Sequence, residues 1–487
     1  MRAGITRPAP AAAGQRGNIL LLFAPMVVVL IGFLGFALDL AMVYNRRAEL
    51  QNITASTALA AARQLNGTTA GVTAALQRAQ NAAAAFKYGY NQFSLTWSNA
   101  AISFSTSANG PWLDAANAQA TPDGLLFAKV DTRALDANLG TVNLAFMKAL
   151  SSAFASTSTA ATAIAGRSSI LVAPLAICAM NAAPAAQRAN PGAPQTELVE
   201  FGFRRGVSYD LMQLNPNGTE AQNFVVDPLD PPGVPGAAAN TFAATVSPFV
   251  CTGTLAIPRV RGGTITVASP FPLAALFNQL NSRFDQYVNN LCSPNGAPPD
   301  RNIRSYTYNA IPWMTTAPGQ QSALTIPPGA SLLTVADPLP APASNTAPKY
   351  GPLWAYARAV PFAAFQANPT EPASGYTGFA PASWSTLYNP GQPAANGTYP
   401  ARTPYWPIGG ANFLAPSAPN MPGVANRRVL NVPLLNCPVG GGGVTTATVL
   451  GIGRFFMTVP ATASSIFAEF AGAVPEQSLG GPVELVQ

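Results

Sequence analysis

With 487 residues the chain has room for two or three domains and a sizeable core, yet only 9% of its residues are charged. The formal charge of +7 is spread thinly: arginines occur at most in pairs, Arg46-Arg47, Arg204-Arg205 and Arg427-Arg428. No basic stripe is there to track a phosphate backbone, so nucleic acid is not an expected partner. There is no histidine, which excludes Ser-His-Asp and Cys-His catalysis and the HExxH metalloproteases, and removes the commonest metal ligand.

The first element is the most informative. From Ile19 to Leu38 run twenty uncharged, mostly aliphatic residues, a helix roughly 30 Å long at about 1.5 Å per residue, the thickness of a bilayer's hydrocarbon core. A secretory signal has an apolar stretch of roughly 7–15 residues ending in a small-residue cleavage site. Here the run is longer, no Ala-x-Ala break follows it, and helix-compatible sequence continues through Leu40–Tyr44. The reading is a retained anchor, with a cleaved signal and a buried core helix as the alternatives. Arg2, Arg7 and Arg16 precede the span while Arg46 and Arg47 follow it, a slight lean towards a cytoplasmic N-terminus. Residues 1–16 are then a cytoplasmic tail and 17–43 the transmembrane helix.

Helical character continues past the span. Between Ala41 and Gln64 there is no Pro or Gly, and Leu50, Ile53, Thr57 and Ala61 fall on one face. A helix unbroken from Ile19 to Gln64 reaches about 70 Å, half in the membrane and half a stalk. Its small-residue face, with Gly32 and Gly35 in the span, permits close helix–helix approach. Gly32, Gly35, Asp39, Leu50 and Ile53 are therefore the candidate residues for membrane and partner-helix contact. Asp39 admits two readings, an interfacial carboxylate at the membrane surface or an intramembrane polar contact to a partner helix.

Asn66-Gly67 stops this helix, and a second is predicted over Val72–Lys87 with Val72, Leu76, Ala79, Ala83 and Phe86 buried. Alternating runs at Phe93–Trp97, Ala101–Thr106 and Leu125–Thr132 read as strands. A helix over Val142–Phe154 and a strand over Ser156–Ala165 complete an extracytoplasmic unit, residues 44–169, of helices on one face of a small antiparallel sheet. Residues 170–487 turn Pro-, Gly- and Asn-rich, a β-rich and loop-rich domain. Its expected strands include Glu197–Phe203, Val207–Leu214, Phe224–Asp227, Thr264–Ala268, Val429–Leu435 and Thr446–Thr458, with one helix at Leu273–Leu291. The stretch from about Gly319 to Arg427 reads as loop. Gly440–Gly443 is a turn; without a following Lys-Ser/Thr it is no phosphate loop. The fold class is α+β.

Four cysteines, Cys178, Cys251, Cys292 and Cys437, all lie in this second domain, far apart and without CxxC spacing. In an exported chain they read as two disulfides, placing the C-terminal side in an oxidising compartment; four buried free thiols are the alternative. Of the three possible connectivities, Cys178–Cys437 with Cys251–Cys292 is preferred, because Cys178 and Cys437 each follow a β-like apolar run.

Catalytic signatures are missing. There is no GxSxG elbow, Walker A loop, GxGxxG fingerprint or D-x-S-x-S metal motif. Asp227 and Asp230 read as solvated turn residues, and Asp285 with Arg283, and Asp300 with Arg301, as ion pairs. Trp313, Trp354, Trp384 and Trp406 sit in Pro-rich loops, where packing under the loops competes with stacking on sugars. No enzyme activity, cofactor or metal is expected.

The segment Gln15-Arg-Gly-Asn-Ile-Leu-Leu-Leu-Phe-Ala24, then Gly32-Phe-Leu-Gly-Phe-Ala-Leu-Asp39, Tyr44, Arg47, Leu50-Gln-Asn52 and Ala58-Leu-Ala-Ala-Ala62 resembles the N-terminal region of TadG-like proteins of the tight-adherence (Flp) pilus machinery. The likeness covers roughly residues 15–65. It departs at Ala55, where many relatives have Asp, and at Leu22, where related pilins carry Glu five residues beyond the processing Gly. The resemblance implies an inner-membrane anchor with a periplasmic or extracytoplasmic body. It also implies a structural or assembly role, as minor pilin or anchored factor, with the bilayer and other pilus-assembly proteins or pilins as partners. A surface adhesin using the Trp-bearing loops against glycans or another envelope component is the alternative.

Overall fold

Residues Asn18–Ala62 form one 45-residue α-helix, α1, which includes Pro25 near its start. An 18-residue window within Pro25–Ala62 has a mean hydropathy of 2.5, so α1 is long and apolar enough to cross a membrane. The computed structural model describes residues 18–486 apart from 91, 168, 190–194, 215, 217–220, 230–235, 259–261, 308–309, 311–353, 373, 381–382, 384–386, 388–403, 406–409 and 441–442. Most of the expected 319–427 loop, with Trp313, Trp384 and Trp406, lies outside the described residues, as does Asp230.

Beyond α1, Gly67 takes a left-handed φ of 79°, a conformation glycine adopts without a Cβ clash. The Thr68 hydroxyl accepts the Gly71 N–H at 3.0 Å, an N-cap that starts α2, Thr69–Ala84. The chain divides into two compact units, residues 1–166 with 483–487, and residues 167–482.

The first unit is an antiparallel sheet in the order Glu484–Val486, Thr162–Gly166, Phe127–Asp131, Ile102–Ser105. Ala58, Ala61 and Ala62 of α1 and Val72, Ala75 and Ala79 of α2 share its core with Ile102, Phe104, Ala128, Val130 and Ala165. The extramembrane half of α1 is thus the spine of a folded unit. The helix expected over Val142–Phe154 is absent. Thr141–Asn143 is instead a strand paired with Ser156–Ser158, and between them lie only an α-turn, Met147–Leu150, and a 3-10 turn, Ser152–Phe154. Ser151 separates the turns: its backbone is extended, at φ −161° and ψ 142°, and its hydroxyl caps the second of them.

In the second unit, strands Gly443–Met457, Thr264–Ser269, Asn223–Val226, Leu175–Cys178 and Val429–Leu435 pair in that order. The last pairs back onto the first, closing a ring. Five strands cannot alternate direction all the way round, so one pair must be parallel; it is Leu175–Cys178 with Val429–Leu435. Phe467–Ala473 and Ser208–Asp210 extend the sheet outside the ring. Both faces are buried. Leu175, Ile177, Val225, Leu430, Val432 and Leu434 belong to one apolar cluster, and Ala176, Cys178, Phe224, Val226, Ile265 and Leu435 to another. Strands covered on both faces carry no alternation to read.

Cys178 is joined to Cys437 and Cys251 to Cys292. The first disulfide lies at the parallel pair, where only Leu434–Ile177 and Leu435–Cys178 are in register, and it closes a 259-residue separation. Cys178→Ala with Cys437→Ala is expected to lower unfolding stability by about 2–5 kcal/mol, the range for a loop-closing disulfide. Denaturant titration of the detergent-solubilised protein measures it, and an unchanged midpoint would refute it. The predicted helix Leu273–Leu291 is shorter than expected: it runs over Leu273–Asn281, then a 3-10 turn ends at Asp285, where φ is 63°. Asn289 and Asn290 also have positive φ, which no helix continues through.

Candidate functional site

The membrane-proximal part of α1 combines exposed apolar surface with one polar, packed stripe. Phe33, Leu34, Phe36 and Leu38 are exposed, whereas Asp39 is only 2% exposed. Gly35 and Asp39 face the segment between strands Thr141–Asn143 and Ser156–Ser158. A Cβ on Gly35 would sit 2.7 Å from the Phe146 ring, so this close approach requires glycine. The Asp39 Oδ2 accepts the backbone N–H groups of Phe146 at 3.0 Å and Met147 at 2.7 Å, capping the turn Met147–Leu150. Its Oδ1 is buried and meets no hydrogen-bond donor among the described residues.

The same stripe continues along α1. Arg46 pairs with Glu49 at 3.1 Å, donates to the Leu139 carbonyl at 2.9 Å and lies over the Tyr88 ring at 5.2 Å. Glu49 in turn accepts from the Gly89 and Tyr90 N–H groups. Met42, Asn45, Arg46, Glu49, Tyr88 and Tyr90 line a groove of about 310 Å³. Leu50 and Ile53 are buried in the unit's own core with Ala83, Leu95 and Leu139, while nothing lies within 4 Å of a Cβ placed on Gly32. Of the five residues predicted for helix contact, four are therefore engaged inside the chain and Gly32 is open. Sequence reasoning missed Phe146 and Met147 as the partners of Gly35 and Asp39. The expected helix over Val142–Phe154 rested on Leu144, Met147, Lys148 and Leu150, and nothing in that pattern points to a contact with α1.

Elsewhere the acidic residues secure loops. Asp227 accepts from Leu229 N–H and Asn240 Nδ2. Asp285 and Asp300 do not form the ion pairs expected of them with Arg283 and Arg301. Asp285 instead accepts from the Ser417 N–H and Asn420 Nδ2, each at 2.6 Å, and Asp300 from Asn302 N, Arg428 N and the Tyr405 hydroxyl. Arg283 is fully buried and donates to the carbonyls of Val250 and Leu280. Trp354 is 0% exposed, packed over Gly206, whose φ of +80° brings the backbone close to the indole. It offers no face to a sugar. Among the described residues no group of three or more His, Cys, Asp or Glu side chains is placed to hold a metal.

A helix apolar enough to cross a membrane, continuous with a folded α+β unit and followed in sequence by a unit with two disulfides, is the layout of a membrane-anchored protein with an extramembrane part. Residues 17–64, which contain the whole of α1, match the family model described as putative Flp pilus-assembly TadE/G-like. No curated protein and no solved structure compared with the chain matches it.

Proposed function

We propose that the protein is a single-pass, non-enzymatic component of a Tad/Flp-type pilus system. It acts by packing, as a minor pilin or as an anchored assembly factor. The observation that carries this reading is the coincidence of the pilus-assembly match at residues 17–64 with the candidate membrane helix. The two disulfides support a body on the oxidising side of the inner membrane, with the N-terminus cytoplasmic. Gly35, Asp39, Leu50 and Ile53 hold α1 to its own unit. Contact with pilins or other assembly proteins then falls to the open turn at Gly32 and the opposite face, where Ala37, Ala41 and Tyr44 are exposed.

Shearing of cells followed by fractionation tests the two roles: a minor pilin co-purifies with filaments, and an assembly factor stays with membranes. Extraction of membranes at alkaline pH is expected to leave the protein in the pellet. Complete release into the soluble fraction would overturn both roles.

A further inference from the structure

Three large apolar side chains point outward from the segment that docks on Gly35 and Asp39: Phe146 is 44% exposed, Leu150 75% and Phe154 52%. We propose that this segment is a second membrane contact, with these side chains entering the acyl–headgroup boundary of the bilayer that α1 crosses. The proposal rests on the reading of α1 as a membrane span.

The register along α1 places the segment at that depth. Asp39 is the first charged residue after the twenty-residue run, and Gly35 lies one turn, about 6 Å, inside it. The Phe146 ring fills the space beside Gly35, so it stands level with Phe33, Phe36 and Leu38, which a spanning helix presents to lipid. At Phe146 the segment is thus continuous with the lipid-facing surface of the helix, and the exposed Leu150 and Phe154 follow it in the same connection. A cluster of exposed large apolar side chains marks an interaction surface, and here the surface alongside is hydrocarbon.

The neighbouring groups fit the same depth. Lys148 is exposed within the turn, and its stem can lie along acyl chains while the ammonium reaches lipid phosphates. Tyr44, 74% exposed, stands about 8 Å beyond Asp39 at the headgroup level that tyrosine favours. The Asp39 carboxylate, costly in hydrocarbon, takes its hydrogen bonds from the Phe146 and Met147 N–H groups. With two contacts, α1 is held in one rotation about its axis relative to the bilayer surface.

A photoreactive diazirine amino acid placed singly at Phe33, Leu150, Phe154 or Ala70 tests this in the full-length protein. The protein is reconstituted in phosphatidylethanolamine–phosphatidylglycerol vesicles, irradiated and weighed for lipid adducts. Ala70, exposed at the start of α2, is the aqueous control. Adducts at Leu150 and Phe154 are expected within about threefold of those at Phe33 and at least about tenfold above Ala70, as for interfacially buried side chains. Adducts at Phe33 alone would overturn the proposal while leaving the span intact. Labelling at Ala70 equal to that at Leu150 would also overturn it. Absence of adducts at Phe33 would overturn the span itself and the second contact with it.

Discussion

Arg428→Ala is expected to destabilise the protein by about 4 kcal/mol or more, by orphaning several buried carbonyls and opening a cavity together. Arg428 is 0% exposed. Its guanidinium donates to the carbonyls of Met457, Thr458, Asn302 and Arg304 at 2.6–3.0 Å. Phe284 and Phe456 each lie 4.4 Å from its central carbon. Burial lowers its pKa and the nearby Asp300 raises it. The side chain therefore ties residues 300–306 to the end of strand Gly443–Met457, and no smaller residue spans those acceptors. Arg428→Lys is expected to recover less than half of the loss, because an ammonium has no planar fork to serve them and stacks poorly. Guanidinium unfolding of the solubilised protein is the measurement. A loss below about 1 kcal/mol for Arg428→Ala would refute the account.

Stability is also expected to fall as pH rises from about 4.5 to about 7, through Glu469. This carboxylate is 0% exposed, on strand Phe467–Ala473. Burial pushes its pKa up to about 7 from the ordinary 4.5, against the opposing pull of backbone N–H donors at Ala357, Tyr356 and Ala355. The folded-state value lies above the unfolded one. Below 4.5 both states hold the proton; between the two values only the folded state does, so its advantage is lost as pH rises through about 7. The change in that window is on the order of 3 kcal/mol. Asp210 and Asp300, also raised by burial, contribute with the same sign. Glu469→Gln is expected to cost about 1–3 kcal/mol, because one acceptor oxygen is lost from a site of N–H donors, and to flatten the profile. Melting temperatures across pH 4–8 compare the two proteins; parallel profiles would rule Glu469 out as the titrating group.

Legibility follows the range of the interactions. α1 was readable because its hydrogen bonds connect residues four apart and its apolar run is uninterrupted. The runs Val429–Leu435 and Thr446–Thr458 stood out as β-forming, and strands lie at Val429–Leu435 and Gly443–Met457. The Val142–Phe154 segment misled because its apolar spacing is helical, while Ser151 divides it into two turns and the remote Asp39 carboxylate caps the first of them. Arg427 and Arg428 stand in the sequence only as one more arginine pair, yet Arg428 is fully buried, since the carbonyls that satisfy it come from more than a hundred residues away in sequence or across the strand pair. Trp354 lies packed beneath its loop, the role the sequence favoured for it over stacking on sugars.

By itself the sequence determined what depends on composition and local order: a membrane-length helix, the absence of histidine chemistry, a small-residue helix face, and a pilus-assembly likeness confined to that helix. The tertiary structure decided which residues of the helix are already engaged. It also closed five strands into a ring through one parallel pair, and paired the C-terminal strand Glu484–Val486 with Thr162–Gly166 across more than three hundred residues. Those outcomes rest on contacts whose partners are distant in the chain, and neither member of such a pair carries a mark of the other. Burial at every position leaves the short strand Leu175–Cys178 without alternation, and the charges of Asp285, Asp300 and Arg428 are satisfied by carbonyls and N–H groups that only folding brings to them.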